Sequence, residues 1–157
     1  MYTTQGGRIV IKTLVNATEL FHLVYVSRTT KAFLEHDIEN IVHVSQRNNR
    51  RLDITGILAF GNGRFMQFLE GSEIDVIQIF SIIKQDLRHH NIDVIRRGNI
   101  PRRQFSDWHM RLTYPNEISI RSGIIYNKLF DLKIKSEAII DFSIESRALL
   151  LAFKNMC

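Results

Sequence analysis

The sequence predicts an α+β sandwich of order β-α-β-β-α-β-β, with both helices on one face of a single sheet. Three observations predict it. Short aromatic and β-branched runs alternate with two stretches of helical periodicity. Asn62-Gly63 joins the second and third of these runs as a hairpin turn, because both residue types tolerate positive φ. Glu70-Gly71-Ser72 ends the third run and opens a helix, with Asp75 three residues after Ser72 as in a capping box.

The elements follow in order. Phe21 to Ser27 reads as a strand with apolar residues on both faces, and therefore a central one. A helix follows near Glu35 to Asn48, with Leu34, Ile38, Ile41, Val42 and Ser45 on one stripe. Glu35 and Asp37 near its start suit the positive end of the helix dipole. Ile54 to Phe60 and Phe65 to Leu69 are the hairpin strands. The second helix carries Val76, Ile79, Phe80, Ile83 and Leu87 on its apolar side, and His90-Asn91 closes it. Ile92 to Arg96 is the fourth strand and Trp108 to Leu112 the fifth. This order is the ferredoxin-like pattern.

After Pro115 the pattern changes. Ile118 to Leu132 is mixed, with room for a short helix, and Ser136 to Asn155 reads as a longer amphipathic helix. A sheet with two helices on one face leaves the other bare, so the tail is expected to cover it. The expected division is 1–20 as a lead, 21–114 as the main domain and 115–157 as a helical cap or output segment.

Composition narrows the function classes. Apolar residues at 45% and charged residues at 24% are ordinary for a globular chain. Cys157 is the only cysteine, which excludes an internal disulfide and a cysteine metal cluster. The first residues lack the apolar run of a signal peptide, and no stretch reaches membrane-span length. A cytoplasmic protein without a membrane partner is expected. The net charge of +5 favours an anionic partner, either nucleic acid or a phosphate-bearing cofactor. Its two basic clusters, Arg47 to Arg51 and Arg96 to Arg103, read as solvated surface.

A few polar residues do not belong where they stand. Strand alternation puts Leu23, Tyr25 and Ser27 on one face, Phe65, Gln67 and Leu69 on one face, and Trp108, Met110 and Leu112 on one face. Tyr25 and Gln67 are thus hydrogen-bonding groups among apolar neighbours. Either they satisfy each other or bond to backbone, or they address a bound ring with donor and acceptor edges. Asn48 and Asn49 read as a helix C-cap or as ligand contacts. Arg88, His89 and His90 read as dipole compensation at the end of the second helix or as a phosphate clamp. A metal site at His89 and His90 is not expected, because adjacent helical residues diverge and no further ligand has suitable spacing. Dinucleotide fingerprint, P-loop and nucleophile elbow are all absent.

Three segments in this order and spacing resemble the BLUF family. They are LVYVSR at Leu23 to Arg28, NNRRLDITGILAFGNGRFMQFLEG at Asn48 to Gly71, and DLRHHN with WHM at Asp86 to Asn91 and Trp108 to Met110. The resemblance implies a non-enzymatic blue-light photoreceptor holding FAD between its two helices. Tyr25 matches the photoactive tyrosine, and Gln67 the glutamine between that tyrosine and the flavin. Ser45 matches a serine near the glutamine network. Asn49 matches the asparagine on the isoalloxazine edge, with Asn48 beside it. Ile41, Phe65 and Ile83 match apolar residues around the ring, and Asp86, Arg88 and His89 the polar end near the ribityl and phosphate chain. Trp108 and Met110 match the fifth-strand pair whose positions change with signal state. The implied chemistry is Tyr25–Gln67 proton-coupled electron transfer followed by hydrogen-bond rearrangement. Ile82 stands where members often carry a polar or basic residue, so FMN is kept as a second cofactor.

No effector domain is recognisable, and the resemblance implies a short member acting on a downstream protein partner, as a homo-oligomer. Two other functions share the fold. An acylphosphatase-like hydrolase would need a phosphate loop after the first strand, where only Arg28 stands. A ferredoxin-like RNA-binding protein would need exposed aromatics on a basic sheet face, so nucleic acid is not expected as a partner.

Overall fold

The computed structural model describes residues 19–121, 124–126 and 143–157. Strand β1 (Leu20–Thr29) leads to helix α1 (Glu35–Arg51), then β2 (Thr55–Gly61), β3 (Arg64–Ser72), helix α2 (Glu73–Ile83), β4 (His89–Ile100) and β5 (Arg111–Thr113). The sheet order is β4-β1-β3-β2-β5. All neighbours are antiparallel except β5, which runs parallel to β2. The ferredoxin-like order expected from the sequence is the observed one, and β1, apolar on both faces, is central.

Local chemistry explains the element ends. Asn62 and Gly63 have φ of 49° and 69°, which makes the β2–β3 hairpin tight. The Ser72 hydroxyl accepts the Asp75 amide at 3.2 Å and starts α2. At the head of α1, Asp37 accepts the Leu34 amide at 3.0 Å. Helix α1 runs three residues past the expected Asn48 and stops where Leu52 bonds back to the Asn49 carbonyl and Asp53 turns left-handed, φ 50°. Asn48 and Asn49 therefore lie within the last turn of the helix, not at a left-handed cap.

Three expectations are corrected. First, α2 ends at Ile83 and not at His90, and Leu87 is 89% exposed beyond it. The chain has to turn back because His89 and His90 pair with Thr29 and Arg28 as the start of β4. Arg88, His89 and His90 consequently compensate no helix dipole. Second, the fifth strand is only Arg111–Thr113, and Trp108 to Met110 precede it in irregular backbone. Gly56 lies at that junction: its amide donates to the Trp108 carbonyl at 2.8 Å, and a Cβ there would fall 1.9 Å from the Phe68 carbonyl oxygen. Third, the described part of the stretch after Pro115 holds a 3-10 turn at Pro115–Glu117 and two short paired strands, β6 (Ser119–Arg121) and β7 (Ile124–Tyr126), rather than a short helix, and 127–132 lie outside the described residues. Helix α3 (Ile144–Met156) covers most of the expected tail helix, and 136–142 lie outside the described residues.

The sheet separates two cores. On one side, Phe21, Leu23, Tyr25, Leu58, Phe65 and Leu69 pack against Ile38 of α1 and Val76, Ile79 and Phe80 of α2. On the other, Val24, Ile57, Met66 and Phe68 pack against Phe105, Ile118, and Leu150 and Phe153 of α3. Each of these large side chains contributes about 1.5–3 kcal/mol by leaving water. The face left bare by α1 and α2 is thus covered by the C-terminal helix, as its apolar residues require.

Candidate functional site

Adjacent strands set the centre of the site. Tyr25 and Gln67 are direct partners in the antiparallel β1–β3 register, with both side chains on the α1–α2 side. The Tyr25 hydroxyl donates to Gln67 Oε1 at 2.5 Å. Burial, reinforced by the Asp86 carboxylate, pushes the Tyr25 phenol well above its ordinary value, so it is a neutral donor throughout the physiological range. The Gln67 amide nitrogen donates to Met110 Sδ at 3.4 Å. A thioether is a weak acceptor. The pair therefore satisfies itself at one end and leaves the amide donor with a poor partner at the other.

Above this pair a cleft of about 350 Å³ opens between α1 and α2. Its walls are Ile41 and Val44 from α1 and Ile79, Ile82 and Ile83 from α2, and its floor is Leu58, Phe65, Tyr25 and Gln67. Ser45, Asn48 and Asn49 line the α1 side with polar groups, on the face that Ile41 begins, at helical spacing. At the mouth stand Gln85, Asp86, Arg88 and His89. Eleven expected site residues, Tyr25, Ile41, Ser45, Asn48, Asn49, Phe65, Gln67, Ile83, Asp86, Arg88 and His89, are thus gathered around one cavity. Sequence reasoning missed Val44, Leu58, Ile79 and Gln85 as lining. Ile41 and Ile83 come from the resemblance; Ile79 stands on the apolar stripe of the second helix, one turn from Ile83, and that stripe is the signal that could have placed it in the lining.

The mouth is held by specific bonds. Arg88 Nε donates to both Asp86 oxygens at 2.9 Å, and Nη2 closes a second contact to Oδ2. The Arg88 guanidinium beside Asp86 holds that carboxyl below its ordinary value. A guanidinium carries five N–H donors, so the pairing leaves cationic donors at the mouth. His89 Nε2 lies 2.8 Å from the Ile83 carbonyl, which can only accept, so Nε2 carries the hydrogen. Its Nδ1 meets the Ser27 hydroxyl at 2.9 Å. His89 thereby ties the end of α2 to β1 while its ring borders the cleft.

Trp108 and Met110 do not share a face. Met110 is buried with the cleft-side core, whereas Trp108 packs with Phe105 in the core under α3 and lies beneath the Arg111 guanidinium at 4.6 Å. Alternation misplaced Trp108 because the backbone at 108–110 is not a strand. Helix α1 reaches this segment directly. Gln46 Nε2 donates to the Met110 carbonyl at 2.9 Å, and buried Asn49 donates to the His109 carbonyl at 2.6 Å.

A narrow cleft with apolar walls, amide-rich edges and a cation at its mouth fits a planar ring system bearing a phosphate chain. The family model of BLUF, sensors of blue-light using FAD, matches residues 20–111. The chain belongs to the BLUF family. Its structure is similar to that of BlrB, a BLUF protein in its dark state, at 31% identity and a TM-score of 0.64, over 88% of this chain and 96% of that one. It is 41% identical over 75 residues to the blue light- and temperature-regulated antirepressor BluF of Escherichia coli, covering 48% of this chain and 19% of the relative. It is 32% identical over 87 residues to the photoactivated adenylate cyclase subunit beta of Euglena longa, covering 55% of this chain. The chain spans only about a tenth of that cyclase subunit. This BLUF domain is a blue-light sensor that uses a flavin, and the residues around the cleft fit that cofactor.

Proposed function

We propose that Tyr25 and Gln67 are the photoactive pair of this BLUF domain and that the α1–α2 cleft holds the flavin. The observation that carries the reading is the buried Tyr25–Gln67 hydrogen bond on the floor of that cleft. Ile41, Phe65 and Ile83 pack on the ring. Asn48, Asn49 and Ser45 address its edge, and Arg88, set by Asp86 and beside His89, faces the phosphate chain. When bound, the flavin supplies blue-light absorption and a strong excited-state oxidant. Tyr25 holds its proton at Oη and can pass it along the hydrogen bond to Gln67 Oε1. Gln67 offers a donor and an acceptor on one amide, so a changed arrangement there alters its contact with Met110. The Met110 and His109 carbonyls are bonded to α1, and Trp108 meets the second core, so the change has a route to α3.

The output we propose is contact with a downstream protein partner, with the chain acting as a cytoplasmic homo-oligomer. The names of the two relatives support an output of this kind, since they join light to antirepression and to adenylate cyclase. No helix among the described residues is long and apolar enough to cross a membrane. The test is direct. Purified chain should be yellow, release FAD on heating, and undergo a reversible red shift of its flavin absorption under blue light. Colourless protein that takes up neither FAD nor FMN overturns the reading, and release of FMN alone would favour the loss of a phosphate contact at Ile82.

A further inference from the structure

Glu70 stands on β3 three residues from Gln67, on the opposite face of the sheet, and is only 1% exposed. Its carboxylate accepts the Gln104 amide at 3.0 and 3.1 Å and the Phe105 amide at 3.0 Å, with the Thr55 hydroxyl at 3.4 Å. Arg103 answers from the same connection. Its Nη1 donates to the Glu70 carbonyl at 3.1 Å and to Thr55 Oγ1 at 3.0 Å, and its Nη2 to the Asp53 carbonyl at 2.7 Å and carboxylate at 2.8 Å. These bonds fasten the start of the β4–β5 connection to β2 and β3. From Phe105 the connection continues through the Trp108 amide, bonded to the Phe105 carbonyl at 3.0 Å, to Met110 at Gln67. One strand therefore grips the connection twice, at Glu70 on one face and at Gln67 on the other.

We infer that Glu70 is a positioning residue for the light response, fixing residues 103–105 and through them the place where Met110 meets Gln67. The inference rests on the reading of Tyr25 and Gln67 as the photoactive pair. An apolar residue at position 70 would pack under Phe105 but could not hold two amides. A carboxylate does, and its grip depends on its charge. Burial pushes Glu70 up to about 7 against the lowering by the Phe105 and Gln104 amides, Arg103 and Thr55. On protonation one oxygen becomes a donor and the acceptor capacity falls.

Among the described residues, the groups around it are few. Arg103 faces it from the connection, Thr55 from β2, and Asp53, just before β2, through Arg103. His22 is its cross-strand neighbour on β1, buried, with an Nδ1 that makes no hydrogen bond. Burial and Arg96 hold His22 below its ordinary value, and Arg96 on β4 is paired with Glu145 of α3.

The experiment uses the full chain with its flavin and follows the return of the red-shifted state in the dark, at pH values on either side of 7. The rate should change roughly three- to tenfold with a midpoint near neutrality, as a shift of half to one pKa unit between the two states gives. Glu70→Gln keeps an acceptor and cannot ionise, so its rate should be flat with pH, while Glu73→Gln on the start of α2 should keep the parent profile. If Glu70→Gln does not fold, Arg103→Met serves: loss of the facing cation should move the midpoint to higher pH. A parent rate without pH dependence, a Glu70→Gln profile like the parent's, or an unmoved midpoint in Arg103→Met overturns the inference. A parent chain that shows no red shift at any pH overturns it together with the photoactive-pair reading. A normal red shift with unchanged profiles sinks the role of Glu70 alone.

Discussion

Tyr25 and Gln67 each cost stability to bury and regain it through one bond. Tyr25→Phe keeps the ring volume and removes the hydroxyl. It leaves Gln67 Oε1 buried without its donor, at a cost of about 1–3 kcal/mol. The expected outcome is flavin still bound and no reversible red shift, read by absorption before and after blue light. Gln67→Leu should do the same by orphaning the tyrosine hydroxyl. Both residues were legible in the sequence as polar side chains at inward positions of apolar strands. Their partnership is one of the alternatives the sequence leaves open, and the resemblance implies it; the β1–β3 register, which joins residues 42 apart, supplies the bond. Asn49 is a comparable case. Its side chain borders the cleft and donates to the His109 carbonyl. Asn49→Ala is therefore expected to lower the flavin-to-protein ratio of purified chain, whereas Arg102→Ala, at an exposed position away from the cleft, should leave it unchanged.

Strand β3 carries different chemistry on its two faces, Gln67 toward the cleft and Glu70 toward the β4–β5 connection. The burial of Glu70 links folding to pH. A carboxyl raised in the folded state binds its proton more tightly there than in the unfolded chain. Its contribution to stability is full below the ordinary carboxylate range and is lost as pH rises to about 7, beyond which it changes no further. Urea unfolding of the parent should accordingly give a free energy that falls by a few kcal/mol across that window, and Glu70→Gln should flatten this part of the curve. The same connection exposes a limit of reading elements from sequence. Arg103, taken there as solvated surface, spends its guanidinium on Thr55, Glu70 and Asp53, because the connection folds back over the end of the sheet.

At the scale of the molecule, two cores share one sheet, and the 105–112 segment belongs to both. Met110 belongs to the first core, while Phe105 and Trp108 belong to the second with Leu150 and Phe153 of α3. A change at Gln67 reaches α3 through that segment when the segment moves as a unit. Hydrogen exchange in the dark and under blue light should differ in Trp108 to Leu112 and in α3. Met110→Ala, at about 2–5 kcal/mol of lost packing, should reduce the difference in α3 while sparing the red shift. Equal α3 exchange in light and dark would assign the output to another surface.

The sequence by itself determined the order of elements, the hairpin at Asn62-Gly63, the start of α2 at Ser72 and the inward polar pair. All of these rest on interactions within a few residues or on the two-residue period of a strand. Only the tertiary structure decided that α2 stops at Ile83, that Trp108 lies under α3 while Met110 faces Gln67, and that Glu70 and Arg103 clasp the β4–β5 connection. The helix stops because β4 must reach β1. Trp108 escapes alternation because the strand begins only at Arg111 and the two-residue period does not apply to the irregular backbone before it. Glu70 meets residues more than thirty positions away because strands pair across the chain, and no local pattern encodes that distance.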